Sequence, residues 1–202
     1  VFKSTQFDLL RHGTPALKGV YLGRTDSVLS AQGAREVLAA VADNPGWDLV
    51  VSSPLLRCLD SAQSISEQWG IPLLVLDQLQ EYDFGDWDGQ AFEAVYAQHA
   101  HLADRFWQDP EANPPPNGET VAQFMARVQV AKSLLLNREE TRILVITHGG
   151  VIRAMIADLL GVQPLQWSRI KVDYACFTQL KFDVDSRHCW PQLVSSNTRS
   201  PF

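Results

Sequence analysis

Two stretches of the chain place an imidazole directly behind an apolar run. In FDLLRHGTPALKGVYLGRTD, Arg11, His12 and Gly13 follow Phe7 to Leu10. In ILVITHGGVIRAM, His148, Gly149 and Gly150 follow Ile143 to Thr147. A third run, WDLVVSS, delivers Ser52 and Ser53, with Arg57 a helical turn further on, and a fourth, IPLLVLDQLQE, delivers Glu81. Two arginines, two histidines and the free N–H groups of two helix starts suit a multiply charged oxyanion, and phosphate fits best. A single carboxylate in so cationic a setting suits a proton donor to a leaving alcohol. One imidazole is then free to act as nucleophile. Phosphoryl transfer needs in-line positioning and charge stabilisation, and arginines can supply the charge without a metal ion.

Those side chains need strands that end at one edge of a sheet. Phe7 to Leu10 and WDLVVSS read as buried strands, IPLLVLDQLQE as a third extended segment and RILVIT as another buried strand. Between them lie helical patterns: one after a Ser30 cap, one starting at Ser53–Pro54 and reaching about Trp69, one from about Thr120 to Leu136, and one from Gly149 to near Gly161. Two late strands, ACFTQLKFDV and CWPQLV, form a hairpin across Asp185 and Ser186. The alternation predicts one α/β domain over residues 1–202, with a mostly parallel sheet and helices on both faces. Residues 91 to about 118 interrupt the rhythm and are expected to form a small helical cap insertion. Ligands of such sheets bind outside the carboxyl ends of the strands, where the candidates collect.

Composition narrows the classes. The 202 residues are 46% apolar and 20% charged, enough for a core and against disorder. A formal net charge of −6 argues against a nucleic-acid binder, while clustered arginines still focus a local positive field for a small anion. Cys58, Cys176 and Cys189 have neither zinc nor disulfide spacing, which points to a reducing cytoplasm. No apolar stretch nears the roughly 20 residues of a membrane span, and the N-terminus lacks a signal layout.

The segment LLRHGTP resembles the signature of the histidine phosphatase superfamily, which includes the cofactor-dependent phosphoglycerate mutases. GRTDSVLSAQG, VVSSPLLRCLDSAQ, LQEYDFGDWDG, PNGET and VITHGGVIRAMI resemble further family segments in the family's order, over most of residues 6–160. The resemblance implies that His12 becomes phosphorylated during turnover, that Arg11 and Arg57 hold the phosphoryl charge, that His148 lies beside it, and that Glu81 donates the proton. It implies no cofactor and no metal. Gly13 is expected to leave room for phosphate at the backbone, and the second nitrogen of His12 to donate to a backbone carbonyl. Gly149 opens the helix that faces the anion.

Within the family, GVYLGRTDSVLS with PPPNGET looks most like α-ribazole phosphatases, which remove the 5′-phosphate of α-ribazole phosphate in cobalamin synthesis. A phosphoglycerate mutase and a sugar-phosphate phosphatase are the alternatives. The short SSNTRSPF tail favours a phosphatase, because a mutase must exclude water from its phosphohistidine. A non-catalytic binder is disfavoured, since no catalytic position is missing. Arg24 either contacts substrate or pairs with Asp26, and Glu119 either serves the pocket or only sits in the first turn of a helix. Asp83, Asp86 and Asp88 read as structural or solvated. Tyr82, Phe84 and Trp87 read as pocket wall or core, Cys58 as a buried small side chain, and His99 and His101 as diverging on a helix rather than sharing a metal.

Overall fold

The computed structural model describes residues 2–201. Its strands are β1 (Lys3–Arg11), β2 (Leu49–Ser52), β3 (Leu73–Val75), β4 (Arg142–Thr147), β5 (Phe177–Val184) and β6 (Cys189–Thr198). They form one sheet in the order β3-β2-β4-β1-β5-β6. The pairs β1·β4, β2·β4 and β2·β3 are parallel, and β1·β5 and β5·β6 are antiparallel. The helices are α1 (Ala31–Ala40), α2 (Leu56–Trp69), α3 (Phe92–Gln108), α4 (Val121–Leu136) and α5 (Gly149–Leu160).

The central strands are continuous apolar runs because both of their faces are covered. Alternate residues enter opposite cores. Phe7, Leu9, Val51, Ile143 and Val145 join Phe124, Val128, Ala131 and Leu135 of α4 and Val151, Ile152 and Met155 of α5. Leu10, Val50, Leu144 and Ile146 join Val37 of α1 and Cys58, Ala62 and Ile65 of α2. Helices therefore lie on both faces of the sheet.

Cap residues fix four of the helix ends. Ser30 Oγ accepts from Gly33 N at 3.0 Å, and Thr120 and Gln123 form a reciprocal capping box at the start of α4. Gly70 and Gly161 close α2 and α5 in the left-handed region, with φ 63° and 68°.

Two expectations need correction. Helix α2 does not start at Ser53–Pro54. It starts at Leu56, behind Leu55, which offers no side-chain cap. The first-turn N–H of Leu56 instead donates to Asp26 Oδ1 at 2.8 Å, so the cap comes from the distant GRTD segment and Ser53 is left for other use. The third extended segment is also shorter than expected. After Val75 the chain turns into a 3-10 turn, Asp77–Leu79, and Glu81 stands on a loop rather than at a strand end.

Residues 92–108 are helical, with a break at His99 (φ −138°, ψ 32°). Phe106 of α3 meets Tyr82, Phe84 and Trp87 at ring-centroid distances of 6.0, 6.2 and 5.8 Å. Trp87 is buried in the core, and His99 and His101 are both exposed.

Candidate active site

The parallel register of β1 and β4 explains why the two histidines meet. Arg11 is opposite Thr147, so the residues that follow, His12 and His148, emerge side by side. His12 N donates to Thr147 O at 3.0 Å, and the two imidazole centroids are 5.2 Å apart.

His12 Nδ1 donates to Gly13 O at 2.7 Å, which fixes the tautomer and leaves Nε2 with no hydrogen-bond partner among the described residues. Burial, then the charges of Arg11 and Arg57, hold its pKa well below the ordinary 6.5, so the ring is neutral. His148 is neutral for the same reasons, burial first and Arg57 next. Arg57 Nε donates to His148 Nδ1 at 3.2 Å, so the proton sits on Nε2, which donates to Ser53 Oγ at 2.8 Å. Cys58, fully buried, places its Sγ 3.6 Å from that Nε2, and burial pushes its thiol pKa upward.

Arg57 is wholly buried. It reaches back from α2, as the lean of helical side chains requires. Besides His148, it donates to Thr25 O at 3.0 Å, Leu22 O at 3.3 Å and Gly23 O at 2.6 Å, so it anchors the 22–25 loop. Arg11 donates to Val172 O at 2.6 Å and stacks 3.8 Å over Tyr174. Its Nε is buried without a partner. A buried, unpaired cationic N–H is costly unless an anion meets it. Gly149, the first residue of α5, lies against both Arg11 and Arg153: a Cβ there would stand 3.3 Å from Arg11 Nε and 3.0 Å from Arg153 Nη1.

Glu81 is brought to the same place by backbone contacts. Its Oε1 accepts from Tyr82 N at 2.9 Å and its Oε2 from Gly150 N at 3.0 Å, in the first turn of α5. A side chain at Gly150 would collide with Glu81 Oε1, which accounts for the second glycine of HGG. Gly13 needs a different account from the expected one. A Cβ there would run into the carbonyl of Gly33, so this glycine admits close approach of α1 to the β1 loop rather than of a ligand.

Two further candidates are engaged elsewhere. Glu119 is paired with Arg127, at 2.7 Å to Nε and 2.8 Å to Nη2. Arg24 is exposed and lies 3.7 Å from Asp83; its expected partner, Asp26, caps α2 instead. Asp88 accepts from Arg24 N at 2.6 Å and Thr25 N at 2.8 Å, a structural role as expected.

Arg127, Arg153 and Tyr174 are additions that sequence reasoning missed. Arg127 donates to the carbonyls of Gln78 (2.9 Å), Gln80 (2.6 Å) and Glu81 (2.8 Å), holding the loop that carries Glu81. It looks like an ordinary surface arginine in the α4 pattern. Arg153 was detectable, because it falls four residues after Gly149 and so on the same helix face. Tyr174 precedes Ala175, whose N–H donates to Arg11 O at 3.1 Å in a positive-φ turn (φ 50°). No sequence pattern announces that turn.

A cavity of about 280 Å³ opens beside Glu81, Gly150 and Arg153. Among the described residues, no group of three or more His, Cys, Asp or Glu is placed to hold a metal ion, and no helix is long and apolar enough to cross a membrane.

Comparison with known proteins agrees with this geometry. The adenosylcobalamin/alpha-ribazole phosphatase of Escherichia coli K12 is 27% identical over 193 residues, covering 93% of this chain and 94% of that protein. A 2,3-bisphosphoglycerate-dependent phosphoglycerate mutase of Brucella melitensis is 34% identical over 203 residues, covering 93% and 97%. The crystal structure of the alpha-ribazole phosphatase from Shigella flexneri superposes with a TM-score of 0.84 at 25% identity, over 97% of this chain and 98% of that one. The model of the histidine phosphatase superfamily (branch 1) matches residues 7–191, and the chain is an enzyme belonging to that superfamily.

Proposed function

We propose that this chain is a metal-independent phosphomonoesterase that works through a phosphohistidine at His12, with α-ribazole 5′-phosphate or a related small phosphate ester as substrate. The observation that carries the mechanism is a neutral, tautomer-fixed His12 with Nε2 unpartnered, beside an Arg11 whose Nε is buried and unpaired. The phosphoryl group enters between them. Nε2 attacks phosphorus, the N–P bond forms and the P–O ester bond breaks in line. Arg11 and the first turn of α5 take up the charge on the phosphoryl oxygens. Arg57 contributes its charge and holds His148, whose Nε2–H, resting on Ser53, is the donor available to a phosphoryl oxygen. Glu81, protonated, gives the leaving oxygen its proton; water then bonds to phosphorus and returns a proton to Glu81 as the N–P bond breaks and frees Nε2.

Glu119 and Arg24 act in this account by holding the Glu81 loop and the GRTD loop. Residues 91–118 serve as the cap of a single domain over 1–202, and the enzyme works in the cytoplasm. The substrate reading is supported by the full-length likeness to the E. coli and S. flexneri phosphatases. The equally full-length match to the B. melitensis mutase keeps phosphoryl transfer to a second hydroxyl as the alternative.

A panel of phosphomonoesters that includes α-ribazole 5′-phosphate, assayed for kcat/KM before and after exhaustive EDTA treatment, tests both parts. The expected result is a preference for the α-ribazole ester and activity unchanged by EDTA. Loss that only Mg²⁺ restores would overturn the arginine-based account. Efficient conversion of 3-phosphoglycerate to 2-phosphoglycerate with catalytic 2,3-bisphosphoglycerate would move the chain to the mutases.

A further inference from the structure

The cavity beside Glu81 is lined by two unlike groups of residues. Glu81, Gly150 and Arg153 are the polar group, and they adjoin the proposed phosphoryl site. Tyr82, Phe84, Phe106, Trp107, Phe124 and Trp167 are the aromatic group, and Val121 and Leu165 line the cavity with them. These six rings come from the Glu81 loop, α3, α4 and the 3-10 turn Pro164–Arg169, and they touch one another in series. Tyr82 meets Phe124 at 5.3 Å, Phe124 meets Trp167 at 6.2 Å and Phe106 meets Trp107 at 4.9 Å.

The polar tips of the wall rings are turned into the protein. Tyr82 OH donates to Glu119 O, Trp167 Nε1 to Val162 O at 3.3 Å, and Trp107 Nε1 to Tyr21 OH at 3.3 Å. What faces the cavity from these residues is ring surface. Arg153 spends only its Nε, on Ile170 O at 2.9 Å. Its two terminal nitrogens have no hydrogen-bond partner among the described residues, although the side chain is half-buried and faces the charge of Glu81.

We infer that this cavity is the leaving-group site, and that it takes an ester whose alcohol carries an aromatic ring together with a hydrogen-bond acceptor, best a carboxylate, near the ester oxygen. The inference rests on the phosphatase reading above. The ring packs on the aromatic lining, where offset and edge-to-face ring pairs gain beyond area burial. The acceptor meets the free guanidinium nitrogens of Arg153. The cavity, about 280 Å³, has room for a substituted ring.

The test uses four phosphate esters of primary alcohols: ethyl, cyclohexylmethyl, benzyl and 2-carboxybenzyl. The intact enzyme is expected to favour benzyl over cyclohexylmethyl phosphate by about tenfold in kcat/KM, and ethyl phosphate less than either. It is expected to favour 2-carboxybenzyl over benzyl phosphate by a similar factor. Trp167→Ala should cut the benzyl-to-ethyl ratio by about tenfold. Arg153→Met should remove the advantage of the carboxylate while keeping the benzyl-to-cyclohexylmethyl preference. Each ratio is taken within one preparation, so a misfolded fraction cancels. If the intact enzyme cleaves all four esters without preference, or if the ratios survive both substitutions, the inference is wrong while the phosphatase reading stands. If it cleaves cyclohexylmethyl as well as benzyl phosphate, the site is merely apolar and the aromatic assignment is wrong. If it cleaves none, the phosphatase reading fails and takes this inference with it.

Discussion

Glu81 is oriented by two backbone N–H groups and by an arginine that never touches its carboxylate. Tyr82 N and Gly150 N fix the oxygens, and Arg127 fixes the loop from beneath through three carbonyls. If the carboxyl protonates the leaving oxygen, Glu81→Gln should slow alkyl phosphates by about 10²–10⁴-fold. The same change should cost p-nitrophenyl phosphate far less, because that leaving group needs little help. Equal losses on both esters would make Glu81 a binding residue, and Asp83 would be examined next as the acid. Residue types in motifs were legible: the Arg11–His12 and His148–Gly149 pairs behind apolar runs pointed to one cluster, and the register brings the two histidines side by side. The reasons for particular residues were less legible. Gly13 looked like room for phosphate, yet the space it leaves is filled by Gly33 of α1. A close approach between segments far apart in sequence cannot be read from either segment alone.

At the scale of elements, the strand that ends just before His12 carries a buried carboxylate that periodicity hid. Asp8 lies within the apolar run of β1 and is fully buried. Four donors saturate it: Gln6 Nε2 at 2.8 Å, Trp47 Nε1 at 2.7 Å, Arg142 Nε at 2.9 Å and Gln179 Nε2 at 2.9 Å. These link β1 to β4, β5 and the approach to β2. Asp8→Ala leaves those donors unmatched and should destabilise the fold by about 3 kcal/mol or more, read as a lower urea midpoint with unchanged slope. A loss under about 1 kcal/mol would show that water replaces the carboxylate. Helix α2 makes the complementary point. Ser53–Pro54 has the form of a helix start, but Ser53 Oγ is taken by His148 and Asp26 caps Leu56 in its place. Asp26→Ala should therefore cost about 1 kcal/mol, a typical cap loss, whereas Ser53→Ala should act on His148 and turnover. The sequence rules for caps are local, and here a contact from a distant strand end takes the cap residue instead.

Over the whole molecule, the alternation of strands and helices foretold the layered sheet, and the parallel register then placed His12 beside His148. Burying both rings among arginines has a cost that depends on pH. Their folded pKa values lie well below the ordinary 6.5, so below that pH the unfolded chain binds protons that the native chain refuses. Stability is complete above about pH 6.5 and falls as the pH drops towards the depressed folded values. Thermal midpoints should decline between pH 6.5 and 5 in the native chain and decline less in a His12→Asn/His148→Gln variant. Identical slopes would mean that other groups carry the acid sensitivity. If His12 attacks as proposed, the same depression keeps its ring neutral in mild acid, and the acid limb of kcat/KM should lie below pH 6.5.

The most direct test of the account is to trap the intermediate. The enzyme is mixed with a ³²P-labelled monoester, quenched in alkali during turnover, and the labelled peptide is mapped. The account predicts an alkali-stable, acid-labile phosphoryl group on His12, absent from His12→Ala and accumulating at a rate that supports turnover. Label on His148 or another residue, or turnover with no covalent phosphoenzyme in the native chain, would contradict it.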